Sequence, residues 1–344
     1  MDNCIYIKTS GSKFIILVLY VDDTLLASSD LDMLYETKRF LSSNFDMKDL
    51  GDASYVLGIE IHRDRSKGTL GLSQRAYIDK VLKRYNMHNC SSTPAPIVKG
   101  DKFGLFQCPK NQLEIDRMKT IPYASTVGSI MYAQVCTRPD LAFVTGMLGR
   151  FQSNPGPDHW KAAKKVLRYM QGTKNFMLTY RKSDNLEVIG YSDSDLAGCV
   201  DSMKSTSGYI FTLAGGAISW KSSKQKIVAS STMMAEYLAC FEATGQAVFL
   251  KNFIPELKVV DSISKPLTLY CDNEPAVFYV NNKSSAAARH IDLKYHVVQH
   301  RIQDQTINVK HISTTRMLAD PLTKGLPPNI FCEHVAGMGL LEAS

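Results

Sequence analysis

Residues 188–225 read VIGYSDSDLAGCVDSMKSTSGYIFTLAGGAISWKSSKQ, and this stretch decides the fold. Val188 to Asp193, Gly208 to Leu213 and Ala217 to Lys221 are short runs with β-branched and aromatic residues, separated by Gly, Ser and Asp, and read as three successive strands. Gly215-Gly216 is a hairpin signal between the last two, with no phosphate-loop spacing around it. Downstream, periodicity predicts a helix from Thr232 to Leu250, a strand from Leu267 to Cys271 and a helix opening at Pro275. A helix from Ile291 to Gln303 and a strand from Ile307 to Ile312 follow. Three strands, then helix, strand, helices and strand, predict one mixed five-stranded sheet flanked by helices, of α+β or α/β class.

Upstream, FIILVLY (14–20), VDD (21–23) and TLLA (24–27) form two apolar strands around an acidic turn. Leu34, Lys38, Leu41 and Phe45 follow at helical spacing. Tyr55 to His62 and Thr69 to Ser73 read as a hairpin through Gly68, and Gln74 to Tyr85 as a helix. Cys90 to Ile121 carries Pro94, Pro96, Gly100, Gly104 and Pro109 without a sustained period and reads as an irregular connection. Helices resume at Tyr123 to Thr137, Asp140 to Gln152 and Asp158 to Gln171, the last stopped by Gly172. In that last helix Ala163, Leu167 and Met170 make one face, while Lys161, Lys164, Lys165 and Arg168 make the opposite one. Such a row is either a solvated face or a stripe that tracks phosphates. Trp160 and Trp220 read as core or helix-face anchors.

Of a net charge of +7, all the excess lies in the first half: residues 1–175 hold 24 Lys+Arg against 17 Asp+Glu, and the remainder is balanced. Clustered positive charge favours a polyanion partner. The eight cysteines form no CxxC pair, which argues against a zinc ribbon or disulfide scaffold and for a reducing, intracellular setting. The longest apolar run, Phe14 to Val21, is too short to cross a bilayer, so no membrane partner is expected. His296 and His300 share a helix face, but the third ligand and the base of a zinc hydrolase are missing.

Phosphodiester chemistry with two divalent cations needs carboxylates converging on one spot, so that the ions sit about 4 Å apart. Four carboxylates stand at element ends in the second half. Asp193 ends the first strand, Glu236 lies in the first turns of the long helix, Asp272 ends the fourth strand, and Asp320 begins the final helix. Such a set can meet at one edge of a mixed sheet, where Mg²⁺ would offset their repulsion.

GYSDSDLAG (190–198), KSTSGYIFTLAGGAISWKSSKQ (204–225), SSTMMAEY (230–237), LYCDNEPAV (269–277), ARHIDLKYH (288–296) and MLADPLTKGLP (317–327) resemble, in this order, the ribonuclease H of copia-type retrotransposons. The resemblance implies a ribonuclease H fold with an Asp-Glu-Asp-Asp metal site, carried onto Asp193, Glu236, Asp272 and Asp320. It also implies two Mg²⁺ ions, with Mn²⁺ as a substitute, and an RNA–DNA hybrid as substrate. The glutamate stands second, whereas a transposase or integrase would place it last. Met234 and Met317 depart from the usual Glu and Gln, next to the ligands. Cellular enzymes also carry a histidine before the last aspartate that assists product release. The run Ser313 to Leu318 offers none, so slow turnover is expected.

Tyr20-Val21-Asp22-Asp23 resembles the active-site hairpin of reverse transcriptases, where Asp22 and Asp23 would bind a cation weakly. KDLGDASYVLGIEI (48–61), LSQRAYIDKVLKRY (72–85), YASTVGSIMYAQVCTRPDLAFV (123–144) and HWKAAKKVLRYMQGT (159–173) resemble the palm end and thumb of the same family. The implied organisation is a truncated palm at 1–92, a linker and helical thumb at 93–175, a ribonuclease H domain at 176–325 and a tail at 326–344. A third palm carboxylate and the fingers would precede the hairpin, and the chain between Met1 and Tyr20 is too short to hold them. The expectation is therefore hybrid cleavage without unaided polymerisation. RNA template, DNA primer and a full-length reverse transcriptase chain are the expected partners, in the cytoplasm or a virus-like particle. The alternative is a non-catalytic transposon remnant that at most binds nucleic acid.

Overall fold

A computed structural model describes residues 4–257, 265–282 and 292–343. The strands β1 (Ile5–Ser10), β2 (Lys13–Tyr20) and β3 (Asp23–Ser28) form an antiparallel meander in which Tyr20 faces Asp23 across the acidic turn. The expected hairpin is present and gains β1 on its other edge. Helix α1 (Leu31–Asn44) follows, started by the Asp30 carboxylate, which accepts the Met33 amide at 3.0 Å.

A second, wholly antiparallel sheet has the order β13-β7-β6-β5-β4. Its strands are β4 (Tyr55–Val56), β5 (Ile59–Asp64), β6 (Thr69–Ser73), β7 (Phe176–Arg181) and β13 (Leu340–Glu342). The single strand expected from Tyr55 to His62 is instead two, because Leu57 and Gly58 both take left-handed backbone and turn the chain back on itself. The strand β7, first after residue 175, lies between β6 and β13, so this sheet draws on three of the four expected segments.

Around it lie α2 (Arg75–Arg84), α3 (Gln112–Lys119), α4 (Tyr123–Cys136), α5 (Ala142–Gly149) and α6 (Pro157–Gly172). The connection 90–121 thus contains a helix, α3, begun by the Asn111 side chain on the Glu114 amide. Ile78, Leu82, Val127, Leu148, Val166 and Leu167 interlock as a buried core. Within it Arg138, 1% exposed, pairs with Asp140 at 2.7 Å and donates to Thr173 Oγ1 at 2.7 Å, while the Tyr169 hydroxyl donates to Asp140 at 2.7 Å. A buried guanidinium is tolerable only with such a complete set of acceptors.

The third sheet is the mixed five-stranded one expected. Its order is β10-β9-β8-β11-β12, built from β8 (Ile189–Ser194), β9 (Thr206–Leu213), β10 (Gly216–Lys224), β11 (Leu267–Cys271) and β12 (Ile307–His311). The first three strands are antiparallel, whereas β8, β11 and β12 run parallel and are reached through helices. The tight turn is Ala214-Gly215, both left-handed, with Leu213 opposite Gly216. Gly216 serves packing rather than the turn, since a Cβ there would meet the Thr179 carbonyl at 2.6 Å, and its bareness lets β10 approach β7.

Along β9 successive side chains alternate faces. Tyr209 and Phe211 enter the cluster under α7 (Thr232–Glu256), with Tyr237, Ala243 and Leu250, while Ile210 enters the core shared with α4–α6. The indole of Trp220 donates to the Gln134 carbonyl at 3.1 Å, tying β10 to α4. The remaining helices are α8 (Glu274–Asn281), α9 (Asp292–Gln303) and α10 (Pro328–Gly337). Ile291, where a helix was expected to begin, and the first residues of the 288–296 motif lie outside the described residues. No described helix is long and apolar enough to cross a membrane.

Candidate functional site

Asp193 is the penultimate residue of β8, the central strand, and the Ser194 amide beside it donates to Glu236 Oε1 at 3.1 Å. Glu236 is placed by the N-cap of α7, where Ser231 accepts the Met234 amide, one turn before. Asp272 follows Cys271, the last residue of β11, and Asn273 caps α8 immediately after it. Asp320 departs from expectation: it opens a single 3-10 turn, Asp320–Leu322, and the final helix starts only at Pro328. Prolines at 321, 327 and 328 with Gly325 between them break the helix that was read there.

Two adjacent strand ends, the first turns of α7 and this turn bring the four acids to one edge. Asp193, Asp272 and Asp320 have ligand atoms all within 4.8 Å of one another, and Asp272 also groups within that distance with Glu236 and Cys271. The Cys271 thiol donates to Glu236 Oε2 at 3.8 Å. Asp193, Glu236 and Asp320 are 1%, 3% and 4% exposed.

Carboxylates so dry and so close resist ionisation. Burial pushes Asp193 up to about 7; neighbouring Lys324 lowers it and Asp320 raises it again. Burial likewise raises Asp320 to about 6, and burial with Asp193 beside it carries Glu236 well above the usual carboxylate range. Asp195, which accepts the Thr206 amide, is raised to about 6 by the same burial. Against this stands the Lys324 side chain. The Lys324 ammonium lies 3.0 Å from Asp320 Oδ1 and 3.4 Å from Asp193 Oδ1, and the Thr323 hydroxyl donates to Asp193 Oδ2. Among the described residues, Asp320 Oδ1 has that ammonium beside it and no aligned hydrogen-bond donor. A buried set of converging carboxylate oxygens suits hard divalent cations, which take oxygen ligands.

The other expected site residues stand apart. Tyr20, Asp22 and Asp23 are exposed at the β2–β3 turn and belong to no metal-competent group among the described residues. In α6, Lys165 pairs with Asp101 at 2.7 Å and Arg168 donates to Ser91, by Nε to its carbonyl at 2.8 Å and by Nη2 to its hydroxyl at 3.0 Å. These two hold the 91–101 connection against the helix. Lys161, beside Asp158 at 3.0 Å, and Lys164, over the Trp160 ring, face outward.

Three residues escaped the sequence reading. Thr323 and Lys324 sit three and four positions after Asp320, a spacing that a single turn folds back onto the acid. His311 lies two residues before the run Ser313 to Leu318. It ends β12, its Nε2 is 3.2 Å from the Asp272 carbonyl oxygen, and its Nδ1 is 3.9 Å from Glu274. Parallel pairing of His311 with Cys271 is what brings it there.

Residues 1–99 match the family model described as reverse transcriptase (RNA-dependent DNA polymerase). Over 98% of its length the chain is 43% identical to the Retrovirus-related Pol polyprotein from transposon TNT 1-94 of Nicotiana tabacum, covering 25% of that protein. It is 30% identical to the putative transposon Ty5-1 protein YCL074W of Saccharomyces cerevisiae, over 70% of this chain and 76% of that one. Among solved structures, LC11-RNase H1 in complex with RNA/DNA hybrid is 18% identical, covering 41% of this chain and 96% of that one with a TM-score of 0.31. The chain spans about a quarter of the length of the first curated relatives it matches.

Proposed function

We propose, since this chain belongs to the Pol family of copia-type retrotransposons, that its mixed five-stranded sheet hydrolyses the RNA strand of RNA–DNA hybrids. The observation that carries this is the convergence of Asp193, Asp272 and Asp320 within 4.8 Å, with Glu236 joined through Asp272 and Cys271. These four side chains would hold two divalent cations, Mg²⁺ or Mn²⁺. Bound there, such ions lower the pKa of water and neutralise charge developing on the scissile phosphate. The chain's own residues orient the cage. The Ser194 amide fixes one oxygen of Glu236, and Thr323 fixes one oxygen of Asp193, leaving the others directed inward. His311, at the rim beside Asp272, is placed to ease the product phosphate away. Preference for RNA would rest on the 2′-hydroxyl.

Lys161 and Lys164 are the outward cations of α6 for the hybrid's phosphates, with template and primer strands following the same surface. A full-length reverse transcriptase chain is the partner that would supply a complete polymerase site. With only Asp22 and Asp23 at the hairpin, these 344 residues are expected not to extend a primer on an RNA template, and extension by the purified chain would refute that. An intracellular setting follows from the same function.

Hybrid cleavage by the full chain and by D193N and D272N decides the matter. Cleavage in the parent, with a loss of at least roughly a thousandfold in both variants and unchanged circular dichroism, is expected. Equal cleavage in parent and variants would remove the site, and a folded parent inert with both ions would favour the non-catalytic remnant.

A further inference from the structure

The cage already contains a cation of its own. Lys324 Nζ is 3.0 Å from Asp320 and 3.4 Å from Asp193, two acids whose oxygens also lie within 4.8 Å of Asp272. We propose that in the metal-free chain the Lys324 ammonium occupies the position one divalent ion takes between Asp193 and Asp320, so that binding there is an exchange of ammonium for ion. The inference rests on the metal-cage reading above and adds the residue that sets its affinity.

Acids buried this deeply repel one another when ionised, and an uncompensated buried charge is strongly destabilising. A neighbouring ammonium offsets that. The two carboxylates, at 3.0 and 3.4 Å, hold the ammonium between them. Its position is fixed by the same turn that fixes the acid: the Lys324 amide donates to the Asp320 carbonyl at 3.2 Å, and Thr323 anchors the turn to Asp193. Yet the Lys324 side chain is 34% exposed, which gives its flexible stem an outward path. An ion entering this position must displace the ammonium, and its affinity is reduced by whatever the ammonium contributes.

Mn²⁺ titration of the full 344-residue chain tests this, with bound ion read from the electron paramagnetic resonance of the free ion and melting read in chelator. K324M is expected to bind Mn²⁺ at this position at least about tenfold more tightly, to melt lower than the parent in chelator, and to regain the difference with Mn²⁺. The gain should vanish in K324M/D320N. K324R keeps the charge on a fork that grips carboxylates with two parallel hydrogen bonds, and is expected to bind Mn²⁺ at least about tenfold more weakly than the parent. It serves as the independent arm if K324M does not fold. A parent that binds Mn²⁺ with an isotherm unchanged in K324M, weakened by it, or unchanged in K324R overturns the exchange while leaving the cage intact. Absence of binding in the parent and all variants overturns the cage itself.

Discussion

Asp193 sits where three strand ends meet, and its carboxyl is lifted from 3.8 to about 7 chiefly by burial. A folded-state value above the unfolded one means that the native chain binds more protons between those limits. Without ions, Asp193 and Asp320 therefore contribute a stability that is present below about pH 4 and lost as pH rises toward 7. His159 and His334, whose burial lowers them, act in the opposite sense, so the comparison must isolate the acid. Denaturant midpoints in chelator, compared between about pH 5 and about pH 7.5, are expected to fall less in D193N than in the parent, and Mg²⁺ should shrink the parent's fall. At His311 the expectation is kinetic: H311A should leave the first turnover unchanged and slow steady-state cleavage several-fold, seen as a burst in rapid-quench data. Asp193, Glu236 and Asp272 stand at element ends that periodicity makes readable, whereas Asp320 was expected to open a helix that starts only at Pro328. His311, Thr323 and Lys324 were not legible. Their placement comes from parallel pairing of β12 with β11 and from a 3-10 turn, neither of which leaves a periodic trace.

The Asp320–Leu322 turn lies against β9. A Cβ at Gly208 would come within 2.6 Å of Thr323 Cγ2 and 2.9 Å of Leu322 Cβ. Replacing Gly208 with Val is expected to displace that turn, costing about 1–3 kcal/mol of stability and weakening Mn²⁺ binding roughly tenfold. An isotherm that matches the parent's would show that the turn is held elsewhere. All five strands of the mixed sheet were visible in sequence, since each is short, carries β-branched or aromatic residues and is flanked by turn residues. The split of β4 from β5 was not, because a leucine at 57 gives no sign of left-handed backbone. Nor was α3, a helix of eight residues carrying only weak periodicity within a proline-rich connection.

At the scale of the molecule, the sequence divides more cleanly than the structure does. The middle sheet joins β4–β6 to β7 and β13, and α10 buries Phe331 and Val335 in the same core as α4–α6. Such long-range pairing is invisible to local pattern. Limited proteolysis is expected to leave a resistant body that begins near Tyr55, having lost the β1–β3 and α1 unit. A body that begins near residue 176 would mean that the middle sheet comes apart on its own.

The interleaving of β7 has one more implication. The exposed loop at 182–185 is an inviting place for scission, yet the two pieces would stay together. The Arg181 amide reaches the Ala214 carbonyl at 2.8 Å, the Tyr180 hydroxyl reaches that of Ala217 at 2.7 Å, and β13 lies alongside β7. A maturation cut at that loop would yield a split protein whose halves complement each other, co-eluting in native buffer and parting only in denaturant.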